Sequence, residues 1–172
     1  MSLANSLQVL LPLEGIIIAF SGDIAGCGYV NEYKLAKQFI SALCSSIIKK
    51  YDILACNIKI LMAPGNHDMN RTISPQVERE QAEKWYFAGE IDSHIYAELA
   101  RMRDFYSFSD DEKCFFKDEP QPFTRKVLPF ISMTGEKYYV EANIFNSALF
   151  SGENDNGIHY MPSAVYRNLS MW

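Results

Sequence analysis

The spacing of apolar and polar positions predicts a strand followed by a helix in the first third of the chain. Residues 15–21 (GIIIAFS) form a short run rich in β-branched side chains that stops at Gly22, a pattern typical of a strand buried on both faces. Between residues 31 and 51, apolar side chains recur every three to five positions, with Lys and Gln between them. This spacing predicts an amphipathic helix, and Asn31 is the expected N-cap.

A second apolar run, residues 57–63 (NIKILMA), predicts a strand that ends at the following Pro-Gly pair. A strand, a helix and a strand at this spacing form a βαβ unit, whose right-handed crossover makes the two strands parallel. Ligands of open α/β sheets bind beyond the carboxyl ends of the strands. We therefore expect the two loops there, SGDIAGCG (residues 21–28) and PGNHD (residues 64–68), to converge on one site.

The remaining sequence is less regular, and we interpret residues 1–172 as a single domain, with residues 74–122 as a helical cap insertion. The predicted elements there are helices at residues 76–89 and 91–108, a loop at 109–122, strands at 127–133, 137–142 and 144–150, a turn at 134–135, a loop at 151–157 and a helix at 162–171.

Composition and charge narrow the functional classes. A chain of 172 residues that is 48% hydrophobic and 22% charged suits one ordinary globular domain. The net charge of −5 gives no strong signal for binding nucleic acid or an anionic membrane. No apolar run reaches the roughly 20 residues that a membrane-spanning helix needs. The four cysteines show no CxxC spacing, so we expect reduced thiols and a cytoplasmic protein.

The tetrapeptide GNHD carries the strongest chemical signal. It places an amide, an imidazole and a carboxylate on consecutive residues, Asn66, His67 and Asp68. Such ligands suit Mn, Fe, Zn or Mg. A plain turn is the alternative, since Gly, Asn and Asp all favour turns. The carboxylate of Asp23, at the end of the neighbouring parallel strand, makes a cation or phosphate site the more specific interpretation.

The segments FSGDIAGCGYVNEYKLAKQFI and ILMAPGNHDMNR, with a fainter match at IFNSALFSGENDNG, resemble the calcineurin-like metallophosphoesterase family. The resemblance implies a four-layer αββα sandwich around the βαβ unit. It also implies hydrolysis of phosphate esters, either phosphodiesters or nucleotides, by a metal-activated water. By this resemblance Asp23 bridges two divalent ions, Asn66 binds one of them, and His67 faces the phosphate while Asp68 holds its ring.

The chain also departs from the pattern of that family, because the DxH and GHxH motifs are absent and there are three histidines in all. One explanation is a truncated phosphoesterase, and the other is a catalytically silent binding or regulatory module on the same fold. Further metal ligands could come from the acidic loops, namely Asp110, Asp111, Glu153 or Asp155.

Two other chemistries receive less support from the residues. The glycines at positions 22, 26 and 28 lack the GxGxxG spacing of a dinucleotide site, and no phosphatase-type loop surrounds Cys27 as a nucleophile. The aromatic residues Trp85, Tyr86 and Phe87 are either core packing or, where missing layers leave apolar surface uncovered, part of an exposed interface, which predicts self-association of the isolated chain.

Overall fold

The computed structural model describes residues 13–70, 72, 84, 100–111, 123–148 and 151. The part described is a mixed α/β fold with one parallel and one antiparallel pair of strands. Its helices and strands, in chain order, are β1 (Ile16–Phe20), α1 (Val30–Tyr51), β2 (Ile58–Met62), α2 (Arg103–Asp111), β3 (Phe123–Ile131) and β4 (Lys137–Phe145). Short 3-10 segments lie at Ala55–Asn57, Asn66–Asp68 and Ala100–Met102.

The predicted βαβ unit is confirmed. Strands β1 and β2 pair in parallel, with Ile16 opposite Ile58 and Phe20 opposite Met62. The buried side of α1 packs against this sheet through side chains that include Leu43. Because both strands run in the same direction, the loops that follow Phe20 and Met62 leave the sheet at the same edge.

The start of α1 differs from the prediction, since its N-cap is Tyr29 and not Asn31. The carboxylate of Glu32, three residues into the helix, accepts the backbone N–H of Tyr29 at 2.9 Å. That bond satisfies a donor at the helix terminus that would otherwise need a capping side chain. The Asn31 side chain instead accepts a hydrogen bond from Lys34 at 3.2 Å.

Strands β3 and β4 form an antiparallel hairpin in which Phe123 faces Phe145 and Ile131 faces Lys137. The predicted turn is confirmed, and Gly135 in it has a φ of +87°, which glycine adopts without steric cost. The prediction of two separate strands after the turn is wrong, because β4 continues without a break through Asn143.

A buried amide joins this hairpin to the βαβ unit. The Asn57 side chain is 2% exposed, and its Nδ2 donates to the carbonyls of Glu14 at 2.7 Å and Ile131 at 2.6 Å. Its Oδ1 accepts the N–H of Ile131 at 3.0 Å. Asn57 thus pairs with both backbone groups of Ile131, as a neighbouring strand would, and fixes the end of β3 beside β1.

Helix α2 contributes aromatic rings to the core beneath α1. The Tyr33 ring lies 5.1 Å from the Phe108 ring in a stacked arrangement and 6.3 Å from the Phe105 ring edge to face. The predicted loop at residues 109–122 begins too early, because α2 runs to residue 111 and Ser109 is buried in it.

Several predictions lie wholly or mostly outside the described residues: the helices at 76–89 and 162–171, the 74–122 cap and the loop at 151–157. In the part of the chain that the structure describes, no helix combines the length and apolar character needed to cross a membrane.

Candidate functional site

The loops after β1 and β2 meet at the carboxyl edge of the sheet, as the βαβ geometry predicts. We call them the GD loop (residues 21–29) and the GNHD loop (residues 63–70). They come close together at Gly22, Asp23 and Gly65: a Cβ on Gly22 would lie 3.1 Å from the Gly65 Cα. A Cβ on Gly65 would lie 2.8 Å from Cγ of Asp23 and would overlap with its Oδ1 and backbone nitrogen. Glycine at position 65 therefore allows this contact between the loops.

Asp23 is exposed and has a left-handed backbone, with a φ of 53°. Asp is one of the few residues other than glycine that enters this region often. Its Oδ1 accepts the backbone N–H of His67 at 3.1 Å. The carboxylate from one loop is thereby fixed next to the imidazole residue of the other.

The ring of His67 is oriented by a backbone carbonyl. Its Nδ1 lies 2.9 Å from the carbonyl oxygen of Gly26, and since that oxygen only accepts, Nδ1 carries the proton in this contact. The other ring nitrogen, Nε2, is then the one left to act on a ligand. The expectation that Asp68 orients this ring differs from the structure, in which Gly26 makes the contact.

Asp68 instead lies under the loops, with no exposed surface. Its Oδ2 accepts the N–H groups of Gly65 at 2.9 Å and Ile24 at 3.2 Å. Its Oδ1 accepts the N–H of Ala25 at 2.9 Å and the hydroxyl of Tyr33 at 3.1 Å. Burial raises the pKa of Asp68, and the hydrogen bonds from these donors oppose that rise. This carboxylate ties the two loops to each other and to α1.

Glu32 occupies the amides of the glycine-rich turn. Its carboxylate accepts the N–H groups of Gly26 and Cys27 at 3.1 Å and that of Tyr29 at 2.9 Å. These hydrogen bonds, with that from Tyr29 the largest contribution, lower the pKa of Glu32. Backbone amides at a helix start are the groups that hold phosphate in dinucleotide sites, and here a side chain of the protein takes them. The arrangement disfavours the dinucleotide alternative.

The donor types at this edge suit a hard divalent cation, but the described residues alone do not complete a metal site. Asp23 offers a carboxylate, and the half-buried Asn66 offers an amide. Within the described ranges, no three His, Cys, Asp or Glu side chains are grouped as metal ligands. The further acidic candidates have side chains outside the described part, namely Asp110, Asp111, Glu153 and Asp155.

A cavity of about 490 Å³ opens beside Asp23. Its walls are largely apolar and include Ile24 from the GD loop and the side chains of Leu35 and Phe39 from α1. Leu35 is 68% exposed and Phe39 53% exposed. Both belong to the apolar pattern that predicts α1, yet they face this cavity and not the core. The volume is in the range of sites for small organic groups.

No family model, curated protein or solved structure matches this chain. Sequence reasoning found the residues that the loops bring together, Asp23 and His67, but missed the residues that hold the loops. Tyr33 carries no sequence signal for contact with Asp68, which lies 35 positions away. Glu32 has a signal, since a Glu at the third position of a helix is typical of a capping box.

Proposed function

We propose that this chain is a calcineurin-like metallophosphoesterase domain that binds phosphate esters, either phosphodiesters or nucleotides, and hydrolyses them with divalent metal ions. The observation that carries the proposal is the hydrogen bond of 3.1 Å between the His67 N–H and Oδ1 of Asp23. It joins the two motifs of the family resemblance at the sheet edge where α/β proteins bind ligands.

The proposal assigns metal binding to Asp23 and Asn66, with the remaining ligands from residues outside the described ranges or from water. A bound ion of this kind supplies a water activated for attack and neutralises phosphoryl charge. Mn, Fe, Zn and Mg all accept carboxylate and amide oxygens, so the donor set does not choose among them. The proposal extends the observed βαβ unit to a four-layer αββα sandwich.

His67 is assigned the substrate-facing role. With Nδ1 held at the Gly26 carbonyl, the Nε2–H of a protonated ring is the donor that remains for a substrate. That hydrogen is suited to bond with a phosphoryl oxygen or to protonate the leaving oxygen of the ester. A positioned acid of this kind contributes about 10²–10⁴-fold to the rate.

Asp68 is assigned a supporting role, which revises what the resemblance implies. Its carboxylate oxygens are occupied by backbone N–H groups and the Tyr33 hydroxyl, so it acts on the site through the loop conformation.

The test is hydrolysis of bis(p-nitrophenyl) phosphate by the full chain with added Mn²⁺. We expect Asp23→Asn to lower the rate by more than the roughly 10–100-fold that loss of a group orienting a metal ligand costs, because Asp23 is itself a proposed ligand, and His67→Ala to lower it about 10²–10⁴-fold. The matched control is Asp52→Asn, because Asp52 is another exposed Asp with a left-handed backbone, φ 52°, at the far end of α1.

The control rate should stay within about twofold of wild type, as for a surface change remote from a site. Metal-dependent activity that neither Asp23→Asn nor His67→Ala alters would overturn the site assignment. If the chain shows no hydrolysis and no metal uptake, the result favours the catalytically silent binding or regulatory module instead.

A further inference from the structure

We propose that Tyr33 is a positioning residue for the candidate site, acting through the buried carboxylate of Asp68. Its hydroxyl lies 3.1 Å from Oδ1 of Asp68 and 3.2 Å from the Asp68 backbone carbonyl. The role in catalysis rests on the proposed function, whereas the effect on the loops does not.

The ring of Tyr33 is held by packing, while its hydroxyl extends to the loops. Tyr33 is 3% exposed, and its ring contacts the rings of Phe105 and Phe108 of α2. A residue on α1 that packs on α2 has little freedom to move, because buried side chains in close-packed interiors sit in defined rotamers. The hydroxyl therefore presents a fixed donor to Asp68.

Asp68 transmits that position to both loops. Its oxygens accept N–H groups from Ile24 and Ala25 of the GD loop and from Gly65 of the GNHD loop. Ile24 directly follows Asp23, and Gly65 directly precedes Asn66. A shift of the Asp68 carboxylate thus moves the backbone on either side of the residues assigned to metal binding.

The hydroxyl also helps a buried charge to remain in place. A carboxylate without exposed surface needs hydrogen-bond donors on both oxygens, and loss of a donor leaves part of its charge unsatisfied. Removing the Tyr33 hydroxyl leaves the remaining backbone donors to hold Asp68. We expect the loops to open more often while the aromatic packing is retained.

The variant that isolates this role is Tyr33→Phe, which removes the hydroxyl and keeps the ring. Tyr106→Phe is the matched control: Tyr106 is also buried, packs on Phe105, and has a hydroxyl that accepts from Asn146, a residue outside both loops, at 3.0 Å. Both changes delete one buried phenol oxygen.

The first measurement is amide hydrogen exchange of Ile24, Ala25 and Gly65, taken relative to the β2 amides. In Tyr33→Phe we expect exchange of these amides to rise about tenfold more than that of β2, the effect of losing a bond to a charged group. In Tyr106→Phe the exchange rates of the loop amides should change by the same factor as those of the β2 amides. An equal response of loop and β2 amides in Tyr33→Phe would overturn the proposal, since it would show a general stability role only.

The second measurement is kinetic. Tyr33→Phe should lower kcat about tenfold and leave KM within about twofold. Loss of a group that orients a catalytic residue typically lowers activity by about one to two orders of magnitude. An unchanged kcat would refute the role of Tyr33 in catalysis. If the wild-type chain hydrolyses no ester, the proposed function fails, and the amide exchange alone still decides whether Tyr33 positions the loops.

Discussion

Replacement of Gly65 by alanine tests whether the GD and GNHD loops are packed as closely as the structure has them. A Cβ at this position would lie 2.8 Å from Cγ of Asp23 and closer to its Oδ1 and backbone nitrogen. Real Cβ atoms essentially never come within 3.0 Å of another atom in this way. Because one of the overlapping atoms belongs to the backbone, rotation of the Asp23 side chain cannot relieve the overlap.

The magnitude follows from two opposing effects. Gly65 has φ −102° and ψ 178°, an extended conformation that alanine adopts freely. Alanine therefore brings no backbone strain, and it restricts the unfolded chain, which stabilises by about 0.4–1 kcal/mol. Steric overlap in a packed region costs about 1–3 kcal/mol. We expect Gly65→Ala to lower the free energy of unfolding by about 1–2 kcal/mol and to displace Asp23 from the His67 N–H.

The assay is urea denaturation combined with NMR shifts of the Asp23 and His67 amides. Gly135→Ala serves as the control, because Gly135 has a positive φ of 87° in the hairpin turn and no atom within 4 Å of its Cβ position. Gly135→Ala should lower the free energy of unfolding by a similar amount, roughly 1 kcal/mol, through backbone strain. It should not shift the NMR signals of the Asp23 and His67 amides. Wild-type stability and unchanged site shifts in Gly65→Ala would refute the loop geometry.

Three further predictions concern the rest of the fold. Asn57→Ala should lower the free energy of unfolding by about 2–4 kcal/mol in guanidinium denaturation, because the backbone of Ile131 and the carbonyl of Glu14 lose a buried partner; a loss under about 0.5 kcal/mol would contradict that role. The lowered pKa of Glu32 means that its stabilising contribution is present above its ordinary value of 4.5 and is lost as the pH falls through the folded-state value. The stability difference between wild type and Glu32→Gln should thus shrink with acidification in thermal melts, and a difference that grows would show the opposite sign. Leu35 is an exposed apolar side chain, so Leu35→Glu should reduce the predicted self-association in sedimentation velocity. Unchanged self-association would place the contact between copies on another surface.

The sequence was sufficient for elements whose buried face repeats at a regular period. The βαβ unit is an example, since its strands are short apolar runs and α1 has a helical apolar stripe. The hairpin was harder, because Asn143 lies at an exposed position of β4, where a polar residue does not interrupt a strand. The polar residue in the apolar pattern predicted a break between two strands, but the backbone pairing of β4 is continuous there.

The candidate site also has a part that the sequence predicts and a part that it does not. Asp23 and the GNHD residues stand out as chemical groups in loops after parallel strands, so topology alone predicts that they meet. The support beneath them depends on contacts between distant positions, such as Tyr33 with Asp68, 35 residues apart. Those contacts are set by the packing of α1 on α2, which no local pattern encodes.

The most direct test of the account is a titration of the full chain with Mn²⁺, followed by paramagnetic broadening of its amide signals. We predict that the amides around Asp23 and Asn66 broaden first, and that Asp23→Asn abolishes this broadening while Asp52→Asn preserves it. Broadening centred elsewhere in the chain, or unchanged in Asp23→Asn, would contradict a cation site formed by the GD and GNHD loops.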